Sequence, residues 1–513
     1  MWYTELYETK KRHRRATGLS KYRDKCRNER GTTQKDMVFS SLLFVFFFLV
    51  VCYGVYAFAK TNRQRNVILL IFSLIFYAFG GPPLLLLLCG VTFVCYIGAL
   101  LLAGQHDKGV KKSLLAVTVG ACLAVLVIFK YTGFFLSNFK AVFGIPEVIP
   151  QIALPLGISF YTFQLLSYVV DVYRGEVEPQ RNYFLLLLYA ALFHQCIAGP
   201  IVRYADINHE INHRTFSWQD ASVGVTRFAV GLAKKAILAN GCATLADKLL
   251  PTNAEALAGV SAGSVALGAF CYALQIYLDF SAYSDMAIGM GLMIGFHYKE
   301  NFNYPYVATS VTDFWRRWHI SLSSFFRDYV YIPLGGNRCS VPRQIFNLAV
   351  VWFLTGLWHG ASWNFVFWGL YYLLFLLLEK FVFRIGRQTP TGGKAAVRRL
   401  LVGIVVWFGW ILFRYEDLSL LGTAIGTLFT GGGNGFWDLS VTTALVNNCF
   451  FLAVCILACT PVVPYLAKKL RSLGETGINT DRICSTVCPA LLLLLSVFSL
   501  VGNNYNPFLY FNF

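Results

Sequence analysis

Apolar runs long enough to cross a bilayer recur along the whole of this 513-residue chain, and they settle its fold class before any single motif does. A hydrocarbon core about 30 Å thick takes about 20 helical residues to span. Regions 38–59, 84–103, 113–129, 398–413 and 486–501 meet that requirement most clearly. At that depth no water satisfies backbone amides, so runs of this length read as helices. Composition agrees: 56% of residues are hydrophobic, 14% are charged, and mean hydropathy is +0.55. The expected fold is an all-α polytopic membrane protein with eleven to thirteen transmembrane helices.

The net charge of +18 raises nucleic acid as a partner, but its distribution points elsewhere. Residues 1–37 hold eleven Lys or Arg against five Asp or Glu, which places +6 of the total in one tail. A basic segment beside a first span favours a cytoplasmic N-terminus lying against anionic lipid head groups. No nucleic-acid partner is expected, since the tail shows neither a folded basic face nor stacking aromatics. Ala57-Phe-Ala59 resembles a signal-peptidase site, yet the preceding run is near spanning length, so the first span is expected to be retained. Two expected domains follow: a basic cytoplasmic tail, 1–37, and a membrane domain, 38–513.

Loops 61–65 and 105–112 are both basic and therefore candidates for the same side of the membrane. That requires residues 66–103 to form a pair of spans, which Gly80-Gly-Pro-Pro83 permits by breaking the helix. Between 296 and 343 no clean apolar run appears, and Asp313, Arg316, Arg317, His319, Arg327, Asp328 and Arg338 interrupt the aromatics. Charged segments at membrane depth survive only when buried in protein or lining a wet cavity, so short or re-entrant helices are expected here. Most of the fourteen cysteines sit in apolar runs, where a thiol acts as a small hydrophobe, and no disulfide framework is expected.

His359 stands in Thr355-Gly-Leu-Trp-His-Gly360, flanked by Trp352, Phe353, Trp358, Trp363, Phe365 and Trp368. A buried imidazole resists charging and remains able to take a proton from an alcohol. Gly356 and Gly360 leave room for a substrate or for another helix. On the residues alone, a general base and a satisfied interhelical histidine are both open readings. His319, in Phe314-Trp-Arg-Arg-Trp-His-Ile-Ser-Leu-Ser323, makes a joint site more plausible. Neither histidine has metal-ligand spacing, and no metal is expected. Arg316, Arg317, Arg327 and Arg338 could hold donor phosphates or simply mark a positive-inside loop. Asn364 is a candidate oxyanion donor. A phosphate-cradling loop, a nucleophile elbow and a dinucleotide fingerprint are all missing from the sequence, which argues against an ATP-driven pump and a serine hydrolase.

These segments resemble the membrane-bound O-acyltransferase family, in its bacterial alginate and polysaccharide O-acetyltransferase branch. The resemblance rests on Leu154-Pro-Leu-Gly-Ile-Ser-Phe-Tyr-Thr-Phe-Gln164, Asp171-Val-Tyr-Arg-Gly175, Ile197-Ala-Gly-Pro-Ile-Val-Arg203 and Asp279-Phe-Ser-Ala-Tyr-Ser-Asp-Met-Ala-Ile-Gly289. Glu300-Asn-Phe-Asn-Tyr-Pro-Tyr306, the run from Phe314 to Arg338, and the closing Pro507-Phe-Leu-Tyr-Phe-Asn-Phe513 extend it. The core motifs occupy 154–368. The resemblance implies transmembrane and re-entrant helices around a central tunnel, with a cytoplasmic funnel for the donor and an outer opening for the acceptor. It implies that His359 is catalytic near the bilayer middle and that His319 lies on the cytoplasmic side of the same tunnel. Trp318 and Trp358 join the four arginines and Asn364 as candidate substrate-binding residues.

The implied activity is transfer of an acyl group, acetyl by preference, from a cytoplasmic thioester to a hydroxyl of an exported polysaccharide or of a relay protein. Acetyl-CoA is the expected donor substrate, with a carrier-protein phosphopantetheine thioester as the alternative and no bound cofactor. An extracytoplasmic relay protein, the polysaccharide acceptor and membrane lipids are the expected partners, and a plasma or inner membrane is the expected location. D-alanyl transfer to teichoic acid, peptidoglycan O-acetylation and non-enzymatic transport are the competing readings.

Overall fold

The computed structural model describes residues 38–144, 152, 154–196, 199–385, 390–502 and 505–507. The expected basic tail, 1–37, lies outside the described residues, as do Ile197, Ala198 and all of the closing segment after Pro507. Every regular element among the described residues is helical. The principal helices are α1 (Phe44–Phe58), α2 (Asn62–Ala78), α3 (Pro82–Gly104), α4 (Lys108–Phe143), α5 (Ile158–Arg174), α6 (Tyr183–Ala191), α7 (Tyr204–His213), α8 (Trp218–Leu249) and α9 (Ala262–Met293). They continue with α10 (Val311–Arg317), α11 (Ile320–Phe326), α12 (Val341–His359), α13 (Trp363–Val382), α14 (Gly392–Arg414), α15 (Leu418–Thr430), α16 (Leu439–Ala458), α17 (Val462–Arg471) and α18 (Glu475–Gly502).

Eight of these are long and apolar enough to cross a membrane: α3, α4, α8, α9, α13, α14, α16 and α18. The shorter α1 and α15 are also apolar. The count by length and composition thus falls below the expected eleven to thirteen. The rest of the membrane domain is made of short or polar helices that bury against protein instead of meeting lipid, as α5, α10 and α11 do. The expected break around residue 80 separates α2 from α3, but of the two only α3 is long and apolar enough to span by length and composition. Gly81 takes φ +123°, which a side chain rarely tolerates, and Pro82 opens α3 at its first turn.

The centre of the fold is α9, buried on nearly all faces, whereas α4 and α18 expose most of theirs. Small residues bring α8 and α9 together. A Cβ on Gly224 would lie 2.6 Å from the Gly289 carbonyl oxygen, and one on Gly231 would lie 2.8 Å from that of Ala282. Lys235 of α8 and Asp279 of α9 form an ion pair at 2.9 Å with both side chains buried. A charge at this depth persists only when matched in this way. Lys235 also donates to the Pro507 carbonyl, and Asn506 joins Asn240 and Ser40, so residues 506–507 are tied to both α8 and the start of the described chain.

Candidate active site

Two helix termini meet at the site. The first belongs to α10, whose N-terminal amides need partners from outside the helix. Ser310 accepts from the Asp313 amide at 2.9 Å, and the buried Glu379 carboxylate accepts from the Val311 amide at 2.5 Å and the Thr312 amide at 2.8 Å. Glu379 sits at the end of α13, so it fixes α10 against that helix. A carboxylate at this position also complements the positive end of the helix dipole.

At the far end of α10, Trp318 is extended and His319 adopts the left-handed conformation, φ 45° and ψ 56°, before α11 begins. This conformation is costly for a residue with a Cβ and persists where its surroundings dictate it. Asn301 supplies them. Its backbone carbonyl accepts from the Ile320 amide at 2.9 Å, and its side-chain oxygen accepts from the Ser321 amide at 3.2 Å and the Ser321 hydroxyl at 2.9 Å. Its amide nitrogen donates to Ser284 at 3.1 Å and to the Gly199 carbonyl at 3.4 Å, which fixes Oδ1 as the atom 3.2 Å from His319 Nδ1. In the neutral ring Nδ1 therefore carries the proton and Nε2 is the basic nitrogen. His319 Nε2 is buried and has no hydrogen-bond partner among the described residues.

The second terminus is the C-terminal end of α12, which finishes at His359. His359 is 2% exposed, which removes it from bulk solvent. Its ring meets Trp358, Trp368 and Phe413 nearly edge-on at centroid distances of 5.0, 4.9 and 5.2 Å. The flanking glycines serve helix packing: a Cβ on Gly356 would lie 2.4 Å from the Phe365 carbonyl oxygen, and one on Gly360 would lie 2.1 Å from the Phe365 ring. Of the two occupants the sequence allowed for that space, the structure supplies the neighbouring helix α13.

A cavity of about 640 Å³ joins the two termini, and Trp315, Arg316, Trp318, His319, Arg327 and His359 are among its walls. Trp358 lines a second, almost wholly apolar cleft of about 820 Å³ between α4, α5, α12 and α13, and Phe326 borders both spaces. The Trp358 ring is 5.6 Å from that of His319.

The remaining sequence-selected residues spread out. Arg316 is exposed and has no ion-pair partner among the described residues, while Arg317 is paired with Asp313 at 2.9 Å. Arg327 is exposed and binds Asp328 at 2.6 Å. Arg338 lies on the exposed loop before α12 and is not part of the cavity wall. Asn364 directs its amide nitrogen to the Leu412 and Phe413 carbonyls, each at 3.3 Å, holding α13 to α14. Asp328 also binds Arg203 at 2.8 Å, and Tyr329 donates to Asp171 at 2.7 Å, so three of the sequence motifs are clamped together behind Arg327. Burial opposes charge on Asp328, but the hydrogen bonds from Arg327 and Arg203 outweigh it and hold the carboxyl below its ordinary range. Among the described residues no group of three or more His, Cys, Asp or Glu could hold a metal ion.

The model of the membrane-bound O-acyltransferase family matches residues 72–421, which include every helix that contributes to the cavity. The chain belongs to the membrane-bound O-acyltransferase family. It is a multi-pass membrane acyltransferase. A probable alginate O-acetylase, AlgI, of Pseudomonas putida is 37% identical over 501 residues, covering 93% of this chain and 100% of that protein. A peptidoglycan O-acetyltransferase of Helicobacter pylori is 30% identical over 93% of this chain and 98% of its own length. A teichoic acid D-alanyltransferase of Bacillus subtilis is 27% identical over 52% of this chain and 68% of its own. The sequence singles out both histidines but not the parts played by Asn301, which stands inside the quoted motif Glu300–Tyr306, or by Glu379; both act through tertiary contacts.

Proposed function

We propose that this O-acyltransferase moves acetyl from a cytoplasmic thioester across the membrane to a hydroxyl of an exported polysaccharide, directly or through an extracytoplasmic relay protein. The observation that carries the reading is the single cavity that reaches both histidines and has Arg316 and Arg327 in its wall. His359 takes the proton from the acceptor hydroxyl while the oxygen attacks the thioester carbonyl carbon. The carbon–sulfur bond then breaks, and the departing thiolate takes the proton from the imidazolium, which regenerates the base. His319, with Nδ1–H held by Asn301, offers Nε2 as a second acceptor along the same cavity. Arg316 and Arg327 supply cationic donors suited to phosphates of the thioester carrier, and Trp318 packs the floor. Arg317, Trp358 and Asn364 shape the surroundings, whereas Arg338 stands away from the cavity.

Acetyl-CoA is the favoured donor and a phosphopantetheine thioester on a carrier protein the alternative; both present a thioester behind a phosphate-bearing arm. The preference for acetyl over D-alanyl follows from the relatives, since two O-acetylating proteins align over nearly the whole chain and the D-alanyltransferase over half. The basic tail, 1–37, beside the first span supports a cytoplasmic N-terminus in a plasma or inner membrane. Mass analysis of exported polysaccharide and peptidoglycan from cells with and without the intact gene tests the reading. Loss of O-acetyl supports it, loss of D-alanine assigns the alternative, and unchanged products contradict both.

A further inference from the structure

Lys130 lies inside the spanning helix α4, with no other charged residue from 113 to 139. A lysine in the middle of such a segment is rare and expensive unless it has a task within the protein. Lys130 is buried, and its Nζ donates to the Trp358 carbonyl and to the Ser159 hydroxyl, the latter at 3.2 Å. The next residue, Tyr131, donates its hydroxyl to the Leu357 carbonyl at 2.7 Å. Leu357 and Trp358 are the two residues before His359 at the end of α12.

The last four carbonyls of a helix have no partner within it. Many helices meet part of this need with a left-handed residue that swings following amides back onto them. Here Gly360 leaves α12 extended, φ −170° and ψ 154°, so the chain departs without that return. Consecutive residues of a neighbouring helix occupy two of the four carbonyls instead, and one of them is a lysine, a residue type suited to the negative end of the helix dipole. Ser159 extends the tie to α5.

We propose that Lys130, assisted by Tyr131, is the positioning residue for His359: it fixes the end of α12 through the Trp358 carbonyl and so sets where the imidazole stands in the cavity. The inference rests on the reading of His359 as the base. Neither residue contacts substrate in this role.

The test uses membrane vesicles carrying the full chain, with acetyl-CoA as the probe and release of the CoA thiol as the rate. Lys130→Met is expected to lower kcat at least tenfold with KM for acetyl-CoA changed less than twofold. Lys130→Arg, which keeps a cationic donor, is expected to recover at least a third of the wild-type kcat. Tyr131→Phe removes one hydroxyl at a partly exposed position and is expected to fold and to lower kcat threefold to tenfold. If Lys130→Met does not reach the membrane, Tyr131→Phe decides. Wild-type kcat in Tyr131→Phe, or in a folded Lys130→Met, overturns the proposal when His359→Ala is inactive. A fully active His359→Ala instead overturns the reading on which it rests. A folded Lys130→Arg no better than Lys130→Met also overturns it.

Discussion

Asn301 accepts a hydrogen bond from Nδ1–H of His319 at 3.2 Å, and the same oxygen holds the Ser321 amide and hydroxyl. One side chain thus sets both the tautomer of His319 and the strained turn that presents it. Asn301→Ala leaves several buried groups unpaired and is expected to destabilise the protein by about 1–3 kcal/mol. Activity is expected to fall about tenfold to a hundredfold with a smaller change in KM for the donor, as for a second-hand effect on an orienting group. Steady-state kinetics of the purified variant, beside its thermal unfolding in detergent, checks both.

Gly356 is a packing residue of the helix that ends at His359. Gly356→Ala drives a methyl group against the Phe365 backbone, and overpacking of this kind costs typically about 1–3 kcal/mol. Lower thermal stability and a loss of activity larger than the stability loss explains are expected, because α12 must shift to relieve the contact. Gly403→Ala in α14 has open space at the same atom and is expected to cost nothing measurable. Paired unfolding curves make the comparison.

Glu379 caps the helix that carries Arg316 and Arg317. Glu379→Ala unpairs the Val311 and Thr312 amides at a helix N-terminus, where loss of a cap costs about 0.5–2 kcal/mol. The expected kinetic signature is a raised KM for acetyl-CoA with a lesser change in kcat, since displacement of α10 moves Arg316 more than His359. Initial rates across donor concentration separate the two constants.

His297 follows the last turn of α9 and binds Glu210 at 2.8 Å, with Asp220 at 3.5 Å. Partial burial works against its charge, but the Glu210 hydrogen bond and the two carboxylates prevail and raise its pKa. Its folded value is therefore above its unfolded value of about 6.5. The pair's stabilisation is complete below the unfolded value and disappears as pH rises through the folded one. His297→Gln is expected to lower the unfolding temperature slightly near pH 6 and to match wild type at pH 9. A constant difference across that range contradicts the pairing.

The membrane spans and the two histidines were legible because each leaves a local mark. A spanning helix needs about 20 apolar residues in a row, and His359 and His319 each stand in a distinctive aromatic string. Lys130 is visible as a lone charge in an apolar run, but the sequence does not name its partner; only its contact with Trp358, 228 residues away, gives it meaning. The roles of Asn301 and Glu379 were hidden for the same reason, their partners lying 18–20 and 67–68 residues away. Gly356 was legible as a close approach but not as to what approaches, because the facing helix is chosen by the fold. Arg316 and Arg317, adjacent in sequence, part company on α10: one reaches the cavity and the other pairs with Asp313 one turn back.

The central claim, acyl transfer by His359 in the shared cavity, is tested most directly by replacing that residue alone. Cells carrying His359→Ala at wild-type membrane abundance are analysed for O-acetyl on exported polysaccharide and peptidoglycan by mass spectrometry. The account predicts that O-acetyl falls to the level of cells lacking the gene. Wild-type O-acetylation from the folded, correctly localised variant contradicts it.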